Sequence, residues 1–154
     1  MKLPSGLKIA VVSLFLASLG ATQNAEAQSY LFGRADFTIG TNPGGVAVGD
    51  FNRDGKLDVA ITDSLSQTVT ILLGESDGTL KHFASYPAGY EAGTIVTGDF
   101  NKDGKLDLAV ANWVGSSVSV YLGNGDGTFQ APITTNVPYY ASGLPSPTSI
   151  KTAN

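Results

Sequence analysis

Apolar residues come in short runs along most of this chain, separated by clusters of Gly, Asp and Asn. Val69, Ile71 and Leu73 alternate with Thr70 and Leu72, the period of two that belongs to a strand with one face inward. The same reading predicts strands over 44–50, 57–62, 68–73 and 79–86, then 93–99, 106–111, 117–122 and 128–134. The stretch 31–39 reads as the last strand of a partial preceding unit. No segment beyond the N-terminal region carries a helical period over ten or more residues, so the expected fold class is all-β.

The pattern is duplicated. Gly49-Asp50-Phe51-Asn52-Arg53-Asp54-Gly55-Lys56-Leu57-Asp58 returns as Gly98-Asp99-Phe100-Asn101-Lys102-Asp103-Gly104-Lys105-Leu106-Asp107, 49 residues later (99 − 50 = 49), and only Arg53 against Lys102 differs. The pairing continues without a gap through Val69-Thr70-Ile71-Leu72-Leu73-Gly74 and Val118-Ser119-Val120-Tyr121-Leu122-Gly123, and ends at Asp77-Gly78-Thr79-Leu80 and Asp126-Gly127-Thr128-Phe129. Asp-Gly pairs favour hairpin turns because glycine reaches positive φ without steric cost. Four antiparallel strands in about 49 residues, repeated, is the sequence habit of a propeller blade. The repeats are expected over 44–92 and 93–135, with 136–154 a loose tail or a degenerate third repeat. Closed propellers need about four to eight blades, so the expected architecture is an incomplete propeller. It is read as a piece of a larger exported enzyme or lectin, as an open two-blade module with exposed edges, or as a subunit that completes a ring by self-association.

The N-terminus adds a destination. Lys2 and Lys8 precede an apolar run from Ile9 to Leu19, and Ala25-Glu26-Ala27 has the small-x-small form of a signal-peptidase site. Residues 1–27 are therefore read as a Sec-type signal peptide, with Gln28 first in the mature, secreted or periplasmic chain. The apolar run falls short of the roughly 17–25 residues of a membrane span, so no span is expected in the mature chain.

Charge and composition narrow the chemistry. A net charge of −4 argues against nucleic acid and anionic membranes, which reward clustered Lys and Arg. The chain has no cysteine, which excludes disulfides, zinc-thiolate sites and thiol nucleophiles. Acidic residues that gather in loops point instead to a cation. With Asp50 as position 1, Asn52 is 3, Asp54 is 5, Gly55 is 6, Lys56 is 7 and Asp58 is 9. Those are the side-chain oxygen positions of a calcium loop, with the Lys56 backbone carbonyl at 7 and a glycine where the loop turns sharply. Asp99, Asn101, Asp103, the Lys105 carbonyl and Asp107 repeat the set, so two Ca2+ sites are expected. Arg53 and Lys56 are expected to stay in solvent. Position 12 is Ile61 or Val110 rather than glutamate, and both flanks are strand-like, which excludes an EF-hand.

These loops, with Val46-Ala47-Val48-Gly49-Asp50-Phe51-Asn52 and Leu122-Gly123-Asn124-Gly125-Asp126-Gly127-Thr128-Phe129, resemble the FG-GAP/VCBS repeat family of integrin-α-type propellers, in its secreted bacterial form. The resemblance covers roughly 31–135 and implies blades with calcium held between the first two strands of each. It says much less about function, since such repeats occur in adhesion proteins, lectins and accessory domains of exported enzymes; the expected function is a secreted, non-catalytic module that binds a protein or glycan. The literal Phe-Gly…Gly-Ala-Pro wording is absent.

No catalytic constellation is legible. His82 is the only histidine, and its counterpart in the second unit is Ala131, so it reads as a strand-surface residue and the chain as a non-enzyme. Trp113 stands where the first unit has Ser64. It either packs over a blade edge or offers a face for sugar stacking. Glu75, Asp77, Asn124 and Asp126 are explained by the hairpins they occupy, with a further cation site as the alternative.

Overall fold

The computed structural model describes residues 40–137 and 150–151. The expected signal peptide, the expected strand at 31–39 and most of the expected tail lie outside the described residues.

Eight strands form two four-stranded antiparallel sheets, and no helix occurs among the described residues. The first sheet runs β1 (Pro43–Gly49), β2 (Asp58–Asp63), β3 (Thr68–Gly74) and β4 (Leu80–Pro87), in sequence order. The second repeats it with β5 (Ala92–Gly98), β6 (Asp107–Asn112), β7 (Ser117–Tyr121) and β8 (Ile133–Asn136). Each sheet is one blade, and the two stand face to face as part of an incomplete propeller.

Register shows how they stack. In the first blade Ala60 pairs with Ala47 and Ile71, and Thr62 with Val69. Directly opposed residues share a face of the sheet, so these point one way. Val59, Ile61, Leu72, Val46 and Val48 point the other. The first set packs against Ala92, Ile95, Leu108, Val110, Tyr121 and Phe129 of the second blade, forming the main core. Val59, Ile61 and Leu72 form a separate buried cluster with Leu80. The β3 alternation predicted one inward face, but the strand is buried on both sides from Val69 to Leu72. Val69 and Ile71 pack in the core shared with the second blade and Leu72 in the cluster with Val59, Ile61 and Leu80 on the other face, so both faces of the sheet are covered and period two does not report exposure there.

Contacts between the blades are specific as well as apolar. Phe51 and Phe129 meet edge to face at 5.5 Å, and Phe129 meets Tyr86 at 5.8 Å. The Tyr121 hydroxyl, fully buried, donates to the Pro87 carbonyl at 2.8 Å. The Phe129 N–H donates to the Tyr86 hydroxyl at 2.9 Å, and the Gly127 N–H to the Phe51 carbonyl at 3.0 Å. A Cβ on Gly49 would sit 2.7 Å from the end of the Leu106 side chain, so Leu106 would have to shift if any side chain stood there.

The fourth strands differ from expectation and from each other. β4 pairs continuously with β3 except for a bulge at Phe83, which has no partner between His82↔Leu72 and Ala84↔Ile71. The position 49 residues on is Pro132, which lacks an N–H to donate. There the ladder is reduced to one Gly123↔Phe129 bridge, and β8 begins only at Ile133. The strand expected over 128–134 is therefore shifted, and Asn136 belongs to it rather than to a tail.

Candidate functional site

Both acidic loops lie between the first two strands of their blades, at the end that also carries the Asp77-Gly78 and Asp126-Gly127 turns. Their internal geometry is nearly the same. The Asp50 carboxylate accepts the Asp54 N–H at 3.1 Å and the Gly55 N–H at 2.9 Å. Asn52 Oδ1 also accepts the Asp54 N–H, and Asp54 Oδ1 accepts the Lys56 N–H at 2.9 Å. In the second loop Asp99 holds the Asp103 and Gly104 N–H groups at 3.0 and 2.8 Å, while Asp103 holds that of Lys105 at 2.9 Å. Gly55 and Gly104 adopt φ of 82° and 78°, and Arg53 and Lys102 both adopt 61°. Left-handed residues on either side of Asp54 and Asp103 curl the chain so that positions 1, 3 and 5 face a common centre.

Position 9 has a second task that spacing does not reveal. Asp58 and Asp107 are fully buried. Asp58 accepts the N–H of Phe51 and that of Gly74, both at 2.8 Å, bracketing the loop to the end of β3. Asp107 does the same with Phe100 at 2.9 Å and Gly123 at 2.8 Å. Each carboxylate oxygen has two lone pairs and spends one on this bracket.

The two cationic side chains expected in solvent are engaged. The Lys56 ammonium folds back onto Asp54 Oδ2, and Lys105 onto Asp103 Oδ2 at 3.0 Å. The hydrogen bond from Lys56 holds the Asp54 carboxyl below its ordinary range, and the bond from Lys105 does the same for Asp103. Arg53 reaches across to the Gly104 carbonyl, tying the first loop to the second. A loop rich in carboxylates recruits whatever positive charge its own chain can deliver.

The donor set is carboxylate, amide and carbonyl oxygen only, which suits a hard cation such as Ca2+. Among the described residues no three His, Cys, Asp or Glu side chains converge on one point. Each loop draws together two carboxylates and an amide, with the buried aspartate set apart as bracket. Asp77 and Asp126 accept from the N–H and hydroxyl of Thr79 and Thr128, which hold both carboxyls below the ordinary range. These are turn-closing interactions, as the hairpin reading has it.

The opposite end of the second blade exposes aromatic surface. Trp113 is 52% exposed and Tyr90 55%. Their turns are joined by bonds from the Trp113 N–H to the Glu91 carbonyl and from the Gly115 N–H to the Tyr90 carbonyl. Tyr90 was not legible as Trp113's neighbour, because its counterpart position holds Thr41. His82 also gains a partner invisible in the sequence: its Nε2 lies 3.2 Å from Ser85 Oγ. Residues three apart on a flat strand face opposite sides, and the bulge at Phe83 brings them together.

A family model described as FG-GAP-like repeat matches residues 50–110 and 99–151, so the two matches together span 50–151 of the 154 residues. No curated protein matches the chain. The matched stretches contain both acidic loops and most of both blades, and the chain belongs to the FG-GAP-like repeat family.

Proposed function

We propose that this chain is a secreted, non-catalytic interaction module whose two propeller blades are stabilised by calcium and which binds a protein or glycan outside the cell. The observation that carries the calcium reading is the repetition of one loop geometry at two sites, with hard oxygen donors at the same positions and a lysine ammonium lodged on the fifth-position carboxylate in each. Asp50, Asn52, Asp54, the Lys56 carbonyl and Asp58 would hold one ion; Asp99, Asn101, Asp103, the Lys105 carbonyl and Asp107 the other. When bound, the ion supplies charge neutralisation and cross-linking of the loop. The chain's own residues do the rest: Asp58 and Asp107 tie each loop to the third strand, and Gly55 and Gly104 permit its curl.

Secretion is supported by the N-terminal sequence pattern, and adhesion by the exposed Trp113 and Tyr90. Flat aromatic faces on adjoining turns offer sugar rings a stacking surface.

Calorimetric titration and thermal melts in Ca2+, Mg2+ and EDTA test the reading. The expected result is two Ca2+ bound per chain, with the folded state stabilised by about 1.4 kcal/mol per site at tenfold excess over Kd. Absence of binding heat together with identical melts in Ca2+ and EDTA would remove the calcium assignment. For adhesion, Trp113→Ala should abolish retention on a glycan array while leaving the Ca2+ isotherm intact; unchanged retention sinks the stacking role.

A further inference from the structure

The face of the first blade that points away from the second is covered over part of its width. Val59, Ile61 and Leu72 stand on it and are 5%, 1% and 1% exposed, yet among the described residues the one further hydrophobic packed against them is Leu80. Their counterparts 49 residues on are Leu108, Val110, Tyr121 and Phe129, which are buried because the first blade lies over them. Among the described residues no blade lies on the outer side of the first. The cover also stops short of β1. Val46 and Val48, on the same face, are 45% and 48% exposed, while Ile95, the counterpart of Val46 under a whole blade, is 4% exposed. Whatever covers this face spans β2 to β4 and leaves β1 open.

The chain that enters β1 points to the occupant. A Cβ on Gly40 would run into the Asp63 carboxylate, as one on Gly89 would run into the Asn112 amide one repeat later. The Ser64 N–H donates to the Asn42 carbonyl at 2.9 Å, and the equivalent Trp113 N–H donates to the Glu91 carbonyl at 3.0 Å. Residues 40–42 therefore enter the first blade as 89–91 enter the second. The residues that precede Gly89 lie over the second blade: Tyr86 meets the rings of Tyr121 and Phe129 at 6.4 and 5.8 Å, and Ala88 packs on the shared core. A shift of 49 puts residues 31–39 in the place of 80–88. Ala35, Phe37 and Ile39 then correspond to the half-buried Ala84, Tyr86 and Ala88, and Asp36 and Thr38 to the exposed Ser85 and Pro87.

We propose that residues 31–39 lie along the outer face of the first blade as an intramolecular strap, one strand standing in for a preceding blade, with Phe37 and Ile39 over Leu72 and Leu80. Nine residues of strand reach about 30 Å, enough to run the length of the seven-residue β3. Ile39 is bulkier than Ala88, so a single strand on the outer side of the blade would reach Val59 and Ile61 and leave β1 open, as observed. The occupant is this segment because it is joined to the blade at Gly40 and carries the same inward alternation as the strand over the second blade. It follows the expected cleavage point at Ala27, so the processed chain keeps it. The proposal is independent of cation and glycan binding.

The chain has no cysteine, so thiols placed singly in the full chain, as processed by its host, test the strap by their labelling rates. Phe37→Cys and Ile39→Cys should react at least about tenfold more slowly than Asp36→Cys and Thr38→Cys, with a protection that urea removes and that does not change with protein concentration. A double-mutant cycle then locates the contact. Phe37→Ala and Leu72→Ala together should cost less stability than the sum of the single losses, whereas Phe37→Ala and Val118→Ala, on separate faces, should add. Should Phe37→Cys fail to retain the wild-type melt, Ala35→Cys, on the same side of the strand, replaces it. Three results overturn the proposal: positions 36 to 39 labelling alike, which leaves the cover to the chain beyond Val137; strictly additive losses at Phe37 and Leu72, which puts the segment elsewhere; or protection that grows with protein concentration, which makes the cover a second chain.

Discussion

The two blades carry nearly the same decapeptide between their first two strands, and its aromatic residue ends in different environments. Phe51 and Phe100 each follow the first aspartate of their loop, donate their N–H to the same buried aspartate position, and lie in equivalent loops. One is sealed under Phe129 and the other is open. Local sequence therefore builds the loop, but the adjoining blade decides what the aromatic ring is for. The same holds at the other ends of β2 and β6. Asp63 is a buried carboxylate that accepts the N–H groups of Asn42 and Ser66 and the Ser66 hydroxyl. Its counterpart, Asn112, accepts the Gly89 N–H and donates its amide to Ser117 and Ser119. One blade closes this corner with a charge and the other with a neutral amide.

The largest expected effect breaks the first contrast. Phe51→Ala should cost about 3–5 kcal/mol, because it empties a packed site in the shared core. Phe100→Ala should change the stability of the single chain by no more than about 1 kcal/mol, as expected of a surface change. Urea unfolding of both variants measures the difference, and equal losses would mean that Phe100 is covered.

A smaller effect is expected at Tyr121, whose counterpart is Leu72. Tyr121→Leu should cost about 2 kcal/mol through loss of the Pro87 hydrogen bond and the edge contact with Tyr86. Burial pushes the Tyr121 hydroxyl up to about 12. An unfolded tyrosine ionises at about 10, so this contribution is complete below that pH and is lost as pH rises toward 12. Tyr121→Phe should flatten that alkaline limb, and melts between neutral and alkaline pH would show an unchanged slope if the hydroxyl is not responsible.

The smallest effect sharpens the corner comparison. Burial alone would raise the Asp63 carboxyl, but hydrogen bonds from Ser66, Asn42 and Thr41 outweigh it and hold it below the ordinary value. Its folded-state pKa is depressed, so its stabilisation is present above the unfolded value of about 3.9 and disappears as pH falls through the lower folded value. Asp63→Asn should cost about 1–2 kcal/mol at neutral pH, since one oxygen acceptor becomes a donor facing the Asn42 N–H. It should also reduce the acid sensitivity of folding. An acid limb identical to the wild type would place that sensitivity elsewhere.

Much of this was legible in the chain itself. Repetition at 49 residues, the eight strands and the positions of both acidic loops follow from periodicity and turn residues, because strand alternation and positive-φ glycines are local requirements. The turn role of Asp77 and Asp126 was legible for the same reason. The shift of β8 was harder to see, although Pro132 at the place of the Phe83 bulge was its signal. Tertiary structure alone decided that Asp58 and Asp107 bracket the third strand, that Arg53 reaches the second loop, and that His82 meets Ser85 across a bulge. It also decided that Phe51 and Phe100 part company. Burial and hydrogen-bond partners belong to whatever lies across the gap in space, and two copies of one decapeptide carry no record of which of them has a neighbour.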